Sequence, residues 1–128
     1  MRRYAKWGAL VVLAGLGVVA GVFLSASSAS PTPTSASRVT IRVVANEWSF
    51  KLSKRTVPAG STVVFKVVNK GDELHDFMIT ALGKKTPYIK SGKSATLKVT
   101  FKKKGSYEYI CTVGEHAQRG MQGKIKVK

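Results

Sequence analysis

The chain has 128 residues, with 22 Lys and Arg against six Asp and Glu and a formal net charge of +16. One Cys excludes an internal disulfide. Two His exclude a Ser-His-Asp triad or similar acid–base machinery if both are taken up by a metal site, so no enzymatic activity is expected.

Residues 1–24 read as a targeting segment. A basic start, Met1-Arg2-Arg3-Tyr4-Ala5-Lys6, precedes an uncharged apolar run from Gly8 to Leu24, and small residues come next at Ser25-Ala26-Ser27-Ser28-Ala29. That is the layout of a cleaved secretory signal. The run is 17 residues long, at the lower end of the roughly 17–25 that span a bilayer, so a retained membrane anchor fits as well. Both readings export the C-terminal part of the chain, to the periplasm or the outer face of the cytoplasmic membrane, and leave the basic end inside. Residues 25–37 (SASSASPTPTSAS) carry no charge, no large apolar side chain and two prolines. Such a stretch buries nothing and is expected to be a disordered linker.

Residues 38–128 then form one domain of 91 residues, enough for a single small core. It carries 19 Lys and Arg and six acidic residues, a net charge of +13. Nucleic acid is not an expected partner, because the domain is exported and its basic residues lack an aromatic stacking set. An acidic protein partner or an anionic membrane face fits the charge. Alternating lysines, as in Lys124-Ile125-Lys126-Val127-Lys128, also blunt sheet edges.

Apolar residues recur with period two along this domain. Val39–Val43, Thr62–Val68, Leu74–Thr80, Ala95–Phe101, Ser106–Cys111 and Gly123–Val127 read as strands. The Val- and Phe-rich run Thr62–Val68 suggests burial on both faces. Turn signals separate the strands at Pro58-Ala59-Gly60, Asn69-Lys70-Gly71-Asp72, Ser91-Gly92-Lys93 and Lys104-Gly105. Short, hairpin-linked strands and no helical period point to an all-β fold, an antiparallel Greek-key sandwich.

Chemistry concentrates near the C-terminal end. Cys111, His116 and Met121 stand at five-residue steps. Thiolate, imidazole and thioether together suit copper that cycles between two oxidation states, for which the expected set is two His, one Cys and a long axial Met. The other His, His75, lies in a predicted strand that can run beside the one ending at Cys111. The expected metal ligands are therefore His75, Cys111, His116 and Met121, holding one type 1 copper ion. Met78, three residues after His75, reads as packing.

Two segments, Asn69-Lys70-Gly71-Asp72-Glu73-Leu74-His75-Asp76-Phe77 and Cys111-Thr112-Val113-Gly114-Glu115-His116-Ala117-Gln118-Arg119-Gly120-Met121, resemble the ligand segments of the blue copper proteins, the cupredoxins of the plastocyanin, azurin and rusticyanin kind. Glu47-Trp48-Ser49-Phe50 and Val57-Pro58-Ala59-Gly60 also resemble the family's early strands and turn. The likeness covers about Val39 to Lys128. It implies a one-electron carrier whose port is the solvent-facing edge of His116, ringed in part by Val113, Ala117 and Gly120, with the lysines steering a monomer onto an acidic partner. A copper-binding or delivery module is the alternative. The chain departs from the family pattern at Asp76, where Asn is frequent. There the carboxylate is expected to accept from Thr112 or nearby backbone amides.

Overall fold

A computed structural model describes residues 36–128, together with Gly15, Gly17 and Gly21. The expected signal or anchor and nearly all of the linker lie outside the described residues. Among the described residues no helix is long and apolar enough to cross a membrane.

Among the described residues nine strands succeed one another: β1 (Arg38–Asn46), β2 (Ser49–Leu52), β3 (Thr56–Val57), β4 (Thr62–Asn69), β5 (Met78–Ile79), β6 (Lys84–Lys85), β7 (Ser94–Thr100), β8 (Gly105–Ile110) and β9 (Gln122–Val127). One 3₁₀ turn, Thr80–Leu82, sits between β5 and β6. They form two sheets, in the orders β2-β1-β4-β7 and β3-β9-β8-β5-β6. The all-β sandwich expected from the alternation is present. Both sheets are mixed, however: β1 pairs with β4 in parallel, from Arg38↔Thr62 to Ala45↔Asn69, and β3 pairs with β9 in parallel. After β2 the chain crosses to the second sheet for β3 and returns for β4. That detour reverses the direction a hairpin would have imposed.

Alternation sends one face of each long strand inward. Ile41, Val43 and Ala45 of β1, Val63, Phe65 and Val67 of β4, and Leu97 and Val99 of β7 meet Tyr109, Ile125 and Val127 of the facing sheet. On β4 the other face is only partly covered at Val64 and Val68 and exposed at Lys66, so burial on both faces does not occur. Aromatic rings fill the centre. Phe77 lies 5.0 Å from Phe65, 5.2 Å from Phe50 and 5.2 Å from Tyr109, centroid to centroid. Tyr109 lies over Gly123, its partner on β9, where a Cβ would run into the ring and hydroxyl.

The predicted strand Leu74–Thr80 keeps regular form only at Met78–Ile79. His75 makes a single isolated bridge to Ile89. The reason is that His75, Asp76 and Phe77 are all fully buried. Three consecutive inward side chains cannot come from a regular strand, which turns every second one outward. Asn69 at the end of β4 holds the preceding loop: its Nδ2 donates to the carbonyls of Glu73 (2.7 Å) and Ile89 (2.8 Å), and its Oδ1 accepts from Gly71 N–H (2.9 Å).

Phe65 is fully buried and touches two other rings. Phe65→Ala is expected to lower the free energy of unfolding by about 3–5 kcal/mol, read from denaturant melts.

Candidate metal centre

β1, β4 and β8 all run toward one end of the sandwich and β9 starts there, so that end collects the segments that leave these strands. His75 comes from the segment after β4. Cys111 comes directly after β8, and His116 and Met121 lie on the loop joining β8 to β9. The loop is built from tight turns: His116 N–H donates to Val113 O (3.0 Å), Gly120 N–H to Ala117 O (3.0 Å) and Met121 N–H to His116 O (3.0 Å). Cys111 N–H to Met121 O (3.0 Å) closes its neck. Gly114 and Gly120 take φ values of +45° and +113°, which side chains with a Cβ rarely adopt.

His75, Cys111 and His116 are buried, and their donor atoms all lie within 4.8 Å of one another. His75 Nδ1 is 3.2 Å from His116 Nδ1. Cys111 Sγ is 3.6 Å from His116 Nδ1 and 4.0 Å from His75 Nδ1. Met121, the fourth expected ligand, is fully buried, and its backbone bonds to both Cys111 and His116. Burial pushes the Cys111 thiol above its usual range, while backbone amides of Asp76 and Val113 pull the other way. Those amides favour the thiolate, so a cation that offsets the burial cost would meet a sulfur already solvated by the protein. Two imidazole nitrogens and one sulfur, preformed and shielded from water, fit one type 1 copper ion.

Asp76 ties the two ligand segments together. Its carboxylate accepts from Thr112 N–H (2.6 Å) and from the Thr112 hydroxyl, as expected from the sequence. Lys85 adds a third contact at 3.2 Å and offsets the buried charge. That ion pair raises the Lys85 ammonium above its usual range.

Four residues that the sequence did not assign to the site line it. Trp48 packs edge-on against the His116 ring at 4.6 Å, and Arg119 stacks its guanidinium on Trp48 at 4.6 Å. Glu47 Oε1 lies 3.1 Å from His75 Nε2, and Glu73 Oε2 lies 3.1 Å from His116 Nε2. The Glu73 backbone N–H, first among several contacts, holds the Glu47 carboxyl below its usual range. With Asp76, and with Asp72 and Glu115 as chain neighbours of Glu73 and His116, five of the six acidic residues sit in the segments that build this end. The lysine run Lys102–Lys104 lies in the turn into β8, at the opposite end.

A cupredoxin-like domain model matches residues 15–127. The chain belongs to the cupredoxin-like family. Among curated protein sequences none matches it significantly. Its fold is similar to that of the dithionite-reduced auracyanin of Roseiflexus castenholzii, at 22% identity and a TM-score of 0.63, covering 73% of this chain and 99% of that one. Auracyanin A, a "blue" copper protein of Chloroflexus aurantiacus, matches at 22% identity and 0.59, covering 71% and 99%. The periplasmic domain of cytochrome oxidase subunit II of Bradyrhizobium japonicum matches at 18% and 0.59, covering 70% and 83%. These likenesses establish the cupredoxin fold.

Two measurements on the metal-free protein check this description. Asp76→Ala leaves Thr112 N–H without its acceptor and should cost about 1–3 kcal/mol in a denaturant melt. The raised Cys111 thiol gives up its proton only at higher pH than a free cysteine. The ultraviolet absorbance of its thiolate should therefore appear, in a pH titration, with a midpoint above the ordinary thiol value of about 8.5.

Proposed function

We propose that this cupredoxin-like domain is a blue copper one-electron carrier in which His75, Cys111 and His116 hold the ion and Met121 supplies the long axial contact. The convergence of the three buried donor atoms within 4.8 Å carries this reading. When bound, copper supplies a Cu(I)/Cu(II) couple. The chain's own part is to hold the donors still. Cys111 and the segment carrying His75 are locked through Asp76 and Thr112, and the loop carrying His116 and Met121 is locked by its own turns. Such a frame favours a site that changes little between oxidation states.

The edge of His116 is the electron port in this reading. Its side chain is 8% exposed and reaches the surface beside Trp48, with Val113 and Ala117 half-buried in the same loop. Residues 1–24 act as export signal or anchor and residues 25–37 as tether, and residues 38–128 work in the periplasm or at the outer face of the cytoplasmic membrane. The domain's net charge of +13 supports approach to an acidic redox protein. The fold likeness to the periplasmic domain of an oxidase subunit makes a membrane oxidase a fitting counterpart. A copper-delivery module would use the same donors. Burial of those donors and a linker without Met or His favour retention over release.

The full chain loaded with one equivalent of cupric ion should show an intense thiolate-to-copper band in the visible spectrum and a reversible voltammetric wave. Cys111→Ala should abolish the colour, and Met121→Leu should keep it and shift the potential. A colourless wild-type protein would remove the proposal; colour without a reversible wave would transfer it to copper delivery.

A further inference from the structure

Glu47 and Glu73 lie outside the expected donor set, yet each meets the outer nitrogen of one site histidine. Glu47 comes directly after β1, and its carboxylate fills the space over Gly71, where a Cβ would run into it. The same carboxylate accepts the Glu73 backbone N–H at 2.9 Å, and its side chain is only 28% exposed. The Glu73 carbonyl accepts from Asn69 Nδ2 at 2.7 Å. The backbone of Glu73 is thus pinned on both sides before its side chain turns to His116 Nε2 at 3.1 Å. The circuit runs from His75 through Glu47 and Glu73 to His116.

An ionised carboxylate accepts hydrogen bonds and has no proton to donate. A hydrogen on Nε2 of the imidazole satisfies both contacts. On a neutral ring that leaves the Nδ1 lone pair free, and the two Nδ1 atoms face each other at 3.2 Å. Cys111 Sγ completes the group, 3.6 Å from His116 Nδ1 and 4.0 Å from His75 Nδ1.

We propose that Glu47 and Glu73 are positioning residues, each fixing one histidine as the Nε2–H tautomer so that both Nδ1 lone pairs are presented to the metal. The assignment rests on the copper-site reading of His75 and His116. Each carboxylate also places a negative charge behind a ligand, which strengthens the imidazole as a donor and favours Cu(II) over Cu(I). The two clamps differ in exposure. Glu47 is built into the loop, whereas the Glu73 side chain is 54% exposed and covers the port edge of His116. Glu47 therefore carries more of the affinity, and Glu73 is the group an approaching redox partner meets first.

The test uses the full chain, first without metal. Nitrogen-15 NMR of the imidazoles should show both His75 and His116 as Nε2–H in the wild type. Glu47→Ala should release His75 from that tautomer, and Glu73→Ala should release His116. Glu47→Gln and Glu73→Gln keep an acceptor oxygen in place and should retain it. With copper, the alanine variants should lose about 10–100-fold in Cu(II) affinity by competition titration. The glutamine variants should keep the blue band and shift the midpoint potential upward, a change that a purely structural role would not produce. Gly71→Ala, which displaces the Glu47 carboxylate without removing it, should reproduce the Glu47→Ala effect on His75 alone. Hydrogen on Nδ1 of either ring in the metal-free wild type would overturn the assignment, as would glutamine variants with an unmoved potential. Tautomers that respond as stated in a protein showing no blue band would uphold the clamps and sink the electron-carrier reading instead.

Discussion

The buried carboxylate of Asp76 is the contact on which the arrangement depends. It stands beside His75 in the chain and bonds to Thr112, which stands beside Cys111. Two segments 36 residues apart are thereby fixed to each other at the point where their donor atoms meet. A charge removed from water is costly unless it is paired and hydrogen-bonded. Here it receives a backbone N–H, a hydroxyl and the Lys85 ammonium. The substitution of Asp for the family's frequent Asn is thus accompanied by a lysine that balances it. The tie between the ligand segments is kept and strengthened by charge.

Around that tie the sandwich supplies stiffness. The aromatic cluster of Phe50, Phe65, Phe77 and Tyr109 reaches up to the ligand segments, since Phe77 is two residues from His75 and Tyr109 two from Cys111. Small metal domains that lack a core fold only when the ion arrives. This domain has a full aromatic core and a ligand loop held by its own hydrogen bonds, so the donors are set in a stiff frame. The donors then have little freedom to follow the geometry one oxidation state prefers, and the glutamates behind the imidazoles extend the same restraint outward by one layer.

Much of this was readable in the residues. Period-two alternation located the long strands to within a few positions, because a half-buried strand has to alternate. The step from Cys111 to His116, with His75 as the other His, pointed to three donor atoms that the fold brings together, because few residue types suit copper. What escaped had no local signature. β2, β3 and β6 are two to four residues long and too short to show a period. The parallel pairing of β1 and β4 comes from a chain excursion, not from either strand's composition. His75 was read as a strand residue because Leu74–Thr80 looks alternating, but the site needs three successive side chains turned inward. Glu47 and Glu73 look like ordinary surface acids in sequence. Their partners lie 28 and 43 residues away, a distance only the fold can close.

Charge is divided along the axis of the sandwich. Five of the six acidic residues gather at the end that bears the histidines and the cysteine, where Lys70, Lys85 and Arg119 stand among them, while most other lysines line the strands and the turn at the far end. A domain with a net charge of +13 therefore also carries an electric dipole, its positive charge thinnest at the metal end. On a negatively charged bilayer the resulting torque sets the lysine-rich pole down and leaves the metal end facing away from the lipid, free to meet a redox protein. Net charge brings the molecule in, and the dipole decides which way it faces.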